Sequence, residues 1–149
     1  FSAVKRTYHY YLHTRKLPFC QGHSAEMRYD FDFDRMNEAA QILLSAQDFA
    51  SFCKANSDAK TTLCHVTEAH WDSVGDGRWC FTITANRFLR NMVRAVVGTL
   101  VDVGRGRCTV EEFRRIVKSG KRTEAGESVP ACGLYLWNVE YPEQEDNKD

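Results

Sequence analysis

ANRFLRNMVRAVVG, residues Ala85–Gly98, is the stretch around which the chain is organised. Phe88, Leu89, Met92, Val93, Val96, Val97, Leu100 and Val101 fall in adjacent pairs that recur every four residues. At about 100° per residue such pairs stay on one broad arc of an α-helix. The pattern predicts a core helix that runs to about Val103, with Gly104 and Gly106 ending it. Arg87, Arg90 and Arg94 gather beside that arc. Arg94 falls at its margin, next to Val97 and Val101, where a guanidinium is half sheltered and needs a partner. Two readings fit an arginine so placed: a stem snorkelling along a core helix, or a cation that orients an anion in a site. The helix alone leaves both open.

Outward from this helix the chain reads as alternating strands and helices. Lys5–His13 is an aromatic-rich strand with Arg6, Tyr8, Tyr10 and Leu12 on one face, and Pro18 lies beyond its end. Met36, Ala39, Ala40, Leu43 and Leu44 predict a helix from Arg35 to about Ser45, with Asp34 as its N-cap. Thr61–Trp71 is expected to be a strand. Gly75-Asp76-Gly77 is a tight-turn signal, and Trp79, Phe81 and Ile83 alternate with polar neighbours in the second arm of a hairpin. After the central helix, Thr109 and Glu112 form a capping box for a helix that Gly120 ends. Leu134–Tyr141 is a last strand, apolar on both faces and therefore expected in the middle of a sheet. The order is strand, helix, strand, strand, helix, helix, strand. It is the split β-α-β-β-α-β, ferredoxin-like α+β pattern with one extra helix, an antiparallel sheet covered on one side. Residues 1–142 are expected to form one α/β domain, and the acidic tail 143–149 to be disordered.

Composition narrows the function classes. The 149 residues suit one domain with a real core, and 43% hydrophobic with 27% charged content is ordinary for a globular protein. Net charge is zero, so no bulk attraction to nucleic acid or membrane follows, and no apolar run approaches the roughly 20 residues of a membrane span. Charge is nevertheless segregated: Arg87–Arg122 holds ten Lys/Arg against three acids, while Glu26–Asp76 is acidic. A basic face suited to phosphates is compatible with this. The six cysteines form no CxxC pair and are expected to be reduced thiols. His9 and His13 share a strand face but stand about 13 Å apart along it, so no metal site is expected. The chain begins FSAVKRTYHYY without an initiator methionine and is expected to be a fragment of something longer.

Four stretches then belong together: FSAVKRTYHYYL at the start, DFASFC at Asp48–Cys53, ANRFLRNMVRAVVGTLVDVG at Ala85–Gly104, and PACGLYLWNVEYP at Pro130–Pro142. In this order they resemble the C-terminal part of the TruA family of tRNA pseudouridine synthases. The resemblance implies an isomerase that converts uridine to pseudouridine in the anticodon stem-loop of tRNA. It also implies a cytoplasmic, cofactor-free protein, usually a homodimer. The family's chemistry depends on an aspartate in a motif of the type GRTDxGVHA, which this sequence does not contain.

Three further residues are carried over by the resemblance. Tyr8 matches the tyrosine of the family's RxY strand motif, whose ring stacks on the target base, a role a flat face suits. Arg94 matches the arginine of the MVR motif, which pairs with the catalytic aspartate and would hold that carboxylate ionised and oriented. Leu134 matches the leucine of GLYL that walls the uracil pocket. Lys5, Arg6, Arg87 and Arg90 are the expected phosphate contacts. A non-enzymatic RNA-binding module of ferredoxin-like fold, and a dimerising domain with no RNA role, are the alternatives at this point.

Overall fold

Alternating aromatic and polar residues make Lys5–His13 the strand β1, with Tyr10 and Leu12 wholly buried on one face. The structure, a computed structural model, describes residues 4–20, 22–54 and 60–141. The expected tail at 143–149 lies outside them. A two-residue strand, β2 (Ala25–Glu26), runs parallel to the end of β1 at Leu12 and His13. Helix α1 (Phe33–Ser45) follows, and then the hairpin arms β3 (Val66–Gly75) and β4 (Arg78–Ala85). Helices α2 (Met92–Gly104) and α3 (Val110–Ser119) lead to the last strand, β5 (Leu134–Glu140).

The main strands lie in the order β5-β1-β4-β3, each antiparallel to its neighbour. β2 and β5 share one edge of β1, at its two ends. The expected α+β architecture is therefore present, with α3 as the extra helix. Tyr10, Leu12, Phe81, Ile83, Ala69 and Trp71 join residues of all three helices in one core, and the alternate sheet positions face away from it. α2 is the centre of that core: eleven of its thirteen residues are buried. The Thr109–Glu112 capping box forms in both directions, at 3.0 and 2.7 Å, and Gly120 ends α3 with φ of 67°.

Four expectations need correction. Asp32, not Asp34, caps α1, accepting from the Arg35 amide at 3.0 Å. Phe33, stacked 3.6 Å from Trp79, draws the first turn into the core two residues earlier. β3 begins at Val66, not Thr61, because the segment before it is held elsewhere: Leu63 bridges Asp48, and Cys64 N donates to Gln47 O. It runs on to Gly75 because Asp76 and Gly77, both at positive φ, make the whole two-residue turn. α2 begins only at Met92. Asn91 is left-handed at φ 68°, which asparagine tolerates, and Arg87 and Arg90 stand on the preceding turn and not on the helix beside Arg94. The apolar period survived this break because Leu89 is buried and Phe88 packs on Tyr8 without being helical. Finally, β5 is an edge strand. Among the described residues it pairs with β1 alone, and Tyr135, Leu136 and Trp137 are exposed.

Candidate active site

β1 sets Tyr8 and Tyr10 two residues apart on the helix side of the sheet. β5 sets Leu134 opposite Tyr10 and Leu136 opposite Tyr8. Tyr8 is half-buried and meets Phe88 edge-to-face, with ring centroids 4.9 Å apart. Its hydroxyl has no hydrogen-bond partner among the described residues. Leu134 packs half-buried against the core. Lys5 and Arg6 are exposed at the start of β1, where Arg6 pairs with Ala85 at the end of β4. The turn carrying Arg87 and Arg90 follows directly, so all four basic residues sit at one end of the sheet.

Of the three arginines in the 85–98 stretch, Arg87 and Arg94 are half-buried and are used differently. Arg87 directs Nη1 at the carbonyls of Thr61 and Leu63, each at 3.0 Å, and so ties two loops together. Arg94 and Asp102 are the only residues of α2 that are not buried. Arg94 Nε donates to the Val129 carbonyl at 2.7 Å, which supplies the partner its place on the helix wheel demands. Its two terminal nitrogens make no hydrogen bond, and no carboxylate lies within ion-pair reach of it, among the described residues. A guanidinium held by its inner nitrogen presents the outer pair as a fork matched to a carboxylate or a phosphate.

A strap at residues 125–130 holds this arginine. With Arg94, Gly98 and Asp102 at i, i+4 and i+8, α2 presents one stripe to the strap. Val129 N donates to Arg94 O at 3.1 Å, and Gly126 N donates to Thr99 Oγ1 at 2.9 Å. A methyl group on Gly98 would lie 1.7 Å from the Glu127 carbonyl oxygen, so only glycine admits the strap there. Burial pushes the Asp102 carboxyl up, against the charges of Arg105 and Arg107. The buried Tyr10 hydroxyl donates to the Pro130 carbonyl at 2.6 Å. Burial holds its ionisation far above the usual phenol range, so it stays a neutral donor. Tyr10, Asn91, Arg122 and Ser128 were not singled out from sequence. The one available signal was Gly98, a glycine in an otherwise apolar helix.

The site comprises a fork-presenting arginine on α2 and a half-buried tyrosine on the helix side of β1, groups suited to an anion and to a flat ring. Residues 39–142 match the family model described as tRNA pseudouridine synthase, and the chain belongs to that family. It is 50% identical over 145 residues to the tRNA pseudouridine synthase A of Bacteroides thetaiotaomicron, covering 96% of this chain and 54% of that protein. Against its counterpart from Porphyromonas gingivalis the identity is 51% over 143 residues (95% and 57%), and against that of Bacillus subtilis it is 38% over 143 residues (95% and 58%). The chain spans about half the length of the curated relatives it matches.

Proposed function

We propose that this chain contributes one wall of the uridine pocket of a tRNA pseudouridine synthase that acts on the anticodon stem-loop, with residues 1–142 as a single domain. The observation that carries the reading is the Arg94 fork, anchored at Nε and open at its outer nitrogens. In this reading a target uridine leaves its stack and lies against Tyr8 with Leu134 as the wall. The fork holds the reacting aspartate ionised and oriented, and that aspartate comes from outside the described residues. Cleavage of the glycosidic bond, rotation of the base and rejoining through carbon complete the isomerisation, with no cofactor. Lys5, Arg6, Arg87 and Arg90, gathered at one end of the sheet, contact phosphates. The protein works in the cytoplasm as a homodimer. The exposed Leu136, Trp137 and Tyr141 support a partner surface, and no helix among the described residues is long and apolar enough to cross a membrane.

The test uses the full chain with any flanking sequence its gene encodes, and unmodified tRNA. Arg94→Lys keeps the charge and loses the fork. Turnover of uridine to pseudouridine should fall by more than roughly tenfold, the scale of one charge-assisted hydrogen bond, with tRNA affinity little changed. Affinity falling in step with turnover would make Arg94 a phosphate contact instead.

A further inference from the structure

Arginine side chains have several rotatable bonds, and a fork is useful only if it is aimed. The aiming atom for Arg94 is the Val129 carbonyl, so whatever fixes the strap fixes the fork. Three side chains meet there. Asn91 Nδ2 and Arg122 Nη2 both donate to Ser128 Oγ, the latter at 3.1 Å, and Arg122 Nη1 donates to Gly126 O at 2.8 Å. Asn91 is the N-cap residue of α2, yet its side chain makes no cap hydrogen bond. From its left-handed backbone it crosses to Ser128. A capping residue that leaves its own helix end uncapped marks a position set by another demand. That demand is the latch on the strap, placed one residue before the carbonyl that holds Arg94.

We infer that Ser128, clasped by Asn91 and Arg122, is a positioning residue: it latches the 125–130 strap so that Val129 aims the outer nitrogens of Arg94. This rests on the reading of Arg94 as the partner of the reacting carboxylate. Ser128 itself touches neither substrate nor the reacting atoms. It acts through the Val129 carbonyl, and therefore only as long as residue 94 has an Nε to hold.

A double-mutant cycle in the full chain with its gene-encoded flanks separates positioning from folding. Ser128→Ala should lower kcat on tRNA by roughly tenfold to a hundredfold, as an ångström-scale misplacement does, with KM within about twofold. Ser128→Thr keeps the hydroxyl and should recover most of the loss. Asn91→Gly keeps the left-handed backbone without the amide, and should match Ser128→Ala without adding to it. In an Arg94→Lys background Ser128→Ala should cost less than about twofold, because the aimed group is gone. The same loss in both backgrounds, or no loss in the parent, overturns the inference. A second readout needs no activity. The Arg94 Nε–H signal in a nitrogen–proton NMR spectrum, assigned by its loss in Arg94→Lys, should exchange slowly in the parent and quickly in Ser128→Ala and Asn91→Gly. Unchanged protection also overturns the latch. If Arg94→Lys leaves turnover intact, the function reading fails and this signal alone decides the latch.

Discussion

The two faces of the sheet hold their polar groups in opposite ways. On the helix side, the Tyr10 hydroxyl and Arg94 Nε donate to main-chain atoms of one strap, Pro130 O and Val129 O. On the open side, side chains hold one another. His70 lies between Glu68 at 2.6 Å and Asp72 at 2.9 Å, and His9 Nδ1 is 3.2 Å from the Tyr11 hydroxyl. A main-chain carbonyl neither titrates nor rotates away, so contacts to it carry geometry at any pH. Exposed ion pairs are screened and come and go with protonation. The fork of Arg94 is aimed by the first kind of contact, and the second kind adjusts stability.

Breaking the helix side should cost the most. In Gly98→Ala the new methyl meets the Glu127 carbonyl at 1.7 Å, backbone that cannot swing aside. The strap must lift or α2 must shift. The expected loss is about 3 kcal/mol, the upper end of what overpacking costs, which lowers the melting temperature by roughly 6–12 °C. Thermal unfolding checks it. A drop of only a degree or two would mean that the strap yields easily, and the contrast between the faces would lose its basis.

Tyr10→Phe is gentler on the same side. It keeps the buried ring and removes only the donor to Pro130 O. A net hydrogen bond contributes about 1 kcal/mol, so denaturant midpoints should fall by that equivalent at unchanged m-value. The loss should be the same at pH 6 and pH 9, because burial keeps the phenol neutral throughout. A loss that grows or shrinks with pH would place Tyr10 with the titrating groups of the other face.

The reach of sequence reasoning follows the same division. Apolar periodicity reports which side chains are buried, and it located every main strand and helix. It does not report backbone conformation. Phe88 and Leu89 kept a helical rhythm through a turn that the left-handed Asn91 closes. It also cannot tell a central strand from an edge strand that leaves apolar groups uncovered, which is why Leu134–Tyr141 looked central. Arg94 was legible because a charge at the margin of an apolar arc is conspicuous. The strap was not, since its working atoms at Val129 and Pro130 are carbonyls that every residue has. Its only trace was the glycine that lets it approach.

The smallest expected effect lies on the open face, and its sign is fixed by two opposed shifts. Burial pulls His70 down, but the hydrogen bond with Glu68 and the charges of Asp72 and Glu68 outweigh it, leaving the imidazole above its ordinary value of 6.5. The hydrogen bond from His70 holds Glu68 below its ordinary 4.5. A raised histidine contributes stability that is complete below the unfolded value and lost as pH climbs through the folded one. A lowered carboxylate contributes stability present above its unfolded value and lost as pH falls. The cluster therefore helps most between about 4.5 and 6.5, and its help fades on the alkaline side as His70 loses its proton. His70 and Glu68 side chains are 39% and 46% exposed, so solvent screens the pair strongly. His70→Gln keeps a neutral hydrogen-bonding group and removes the charge. The parent should melt roughly 1–2 °C above this variant at pH 5.5, and the gap should close by pH 8.5. His9 is coupled to the pair through the charges of Glu68 and His70, so the difference reports the whole cluster. A gap of equal size at both pH values would show that shape and not charge holds the open face, and the two sides of the sheet would then be built alike.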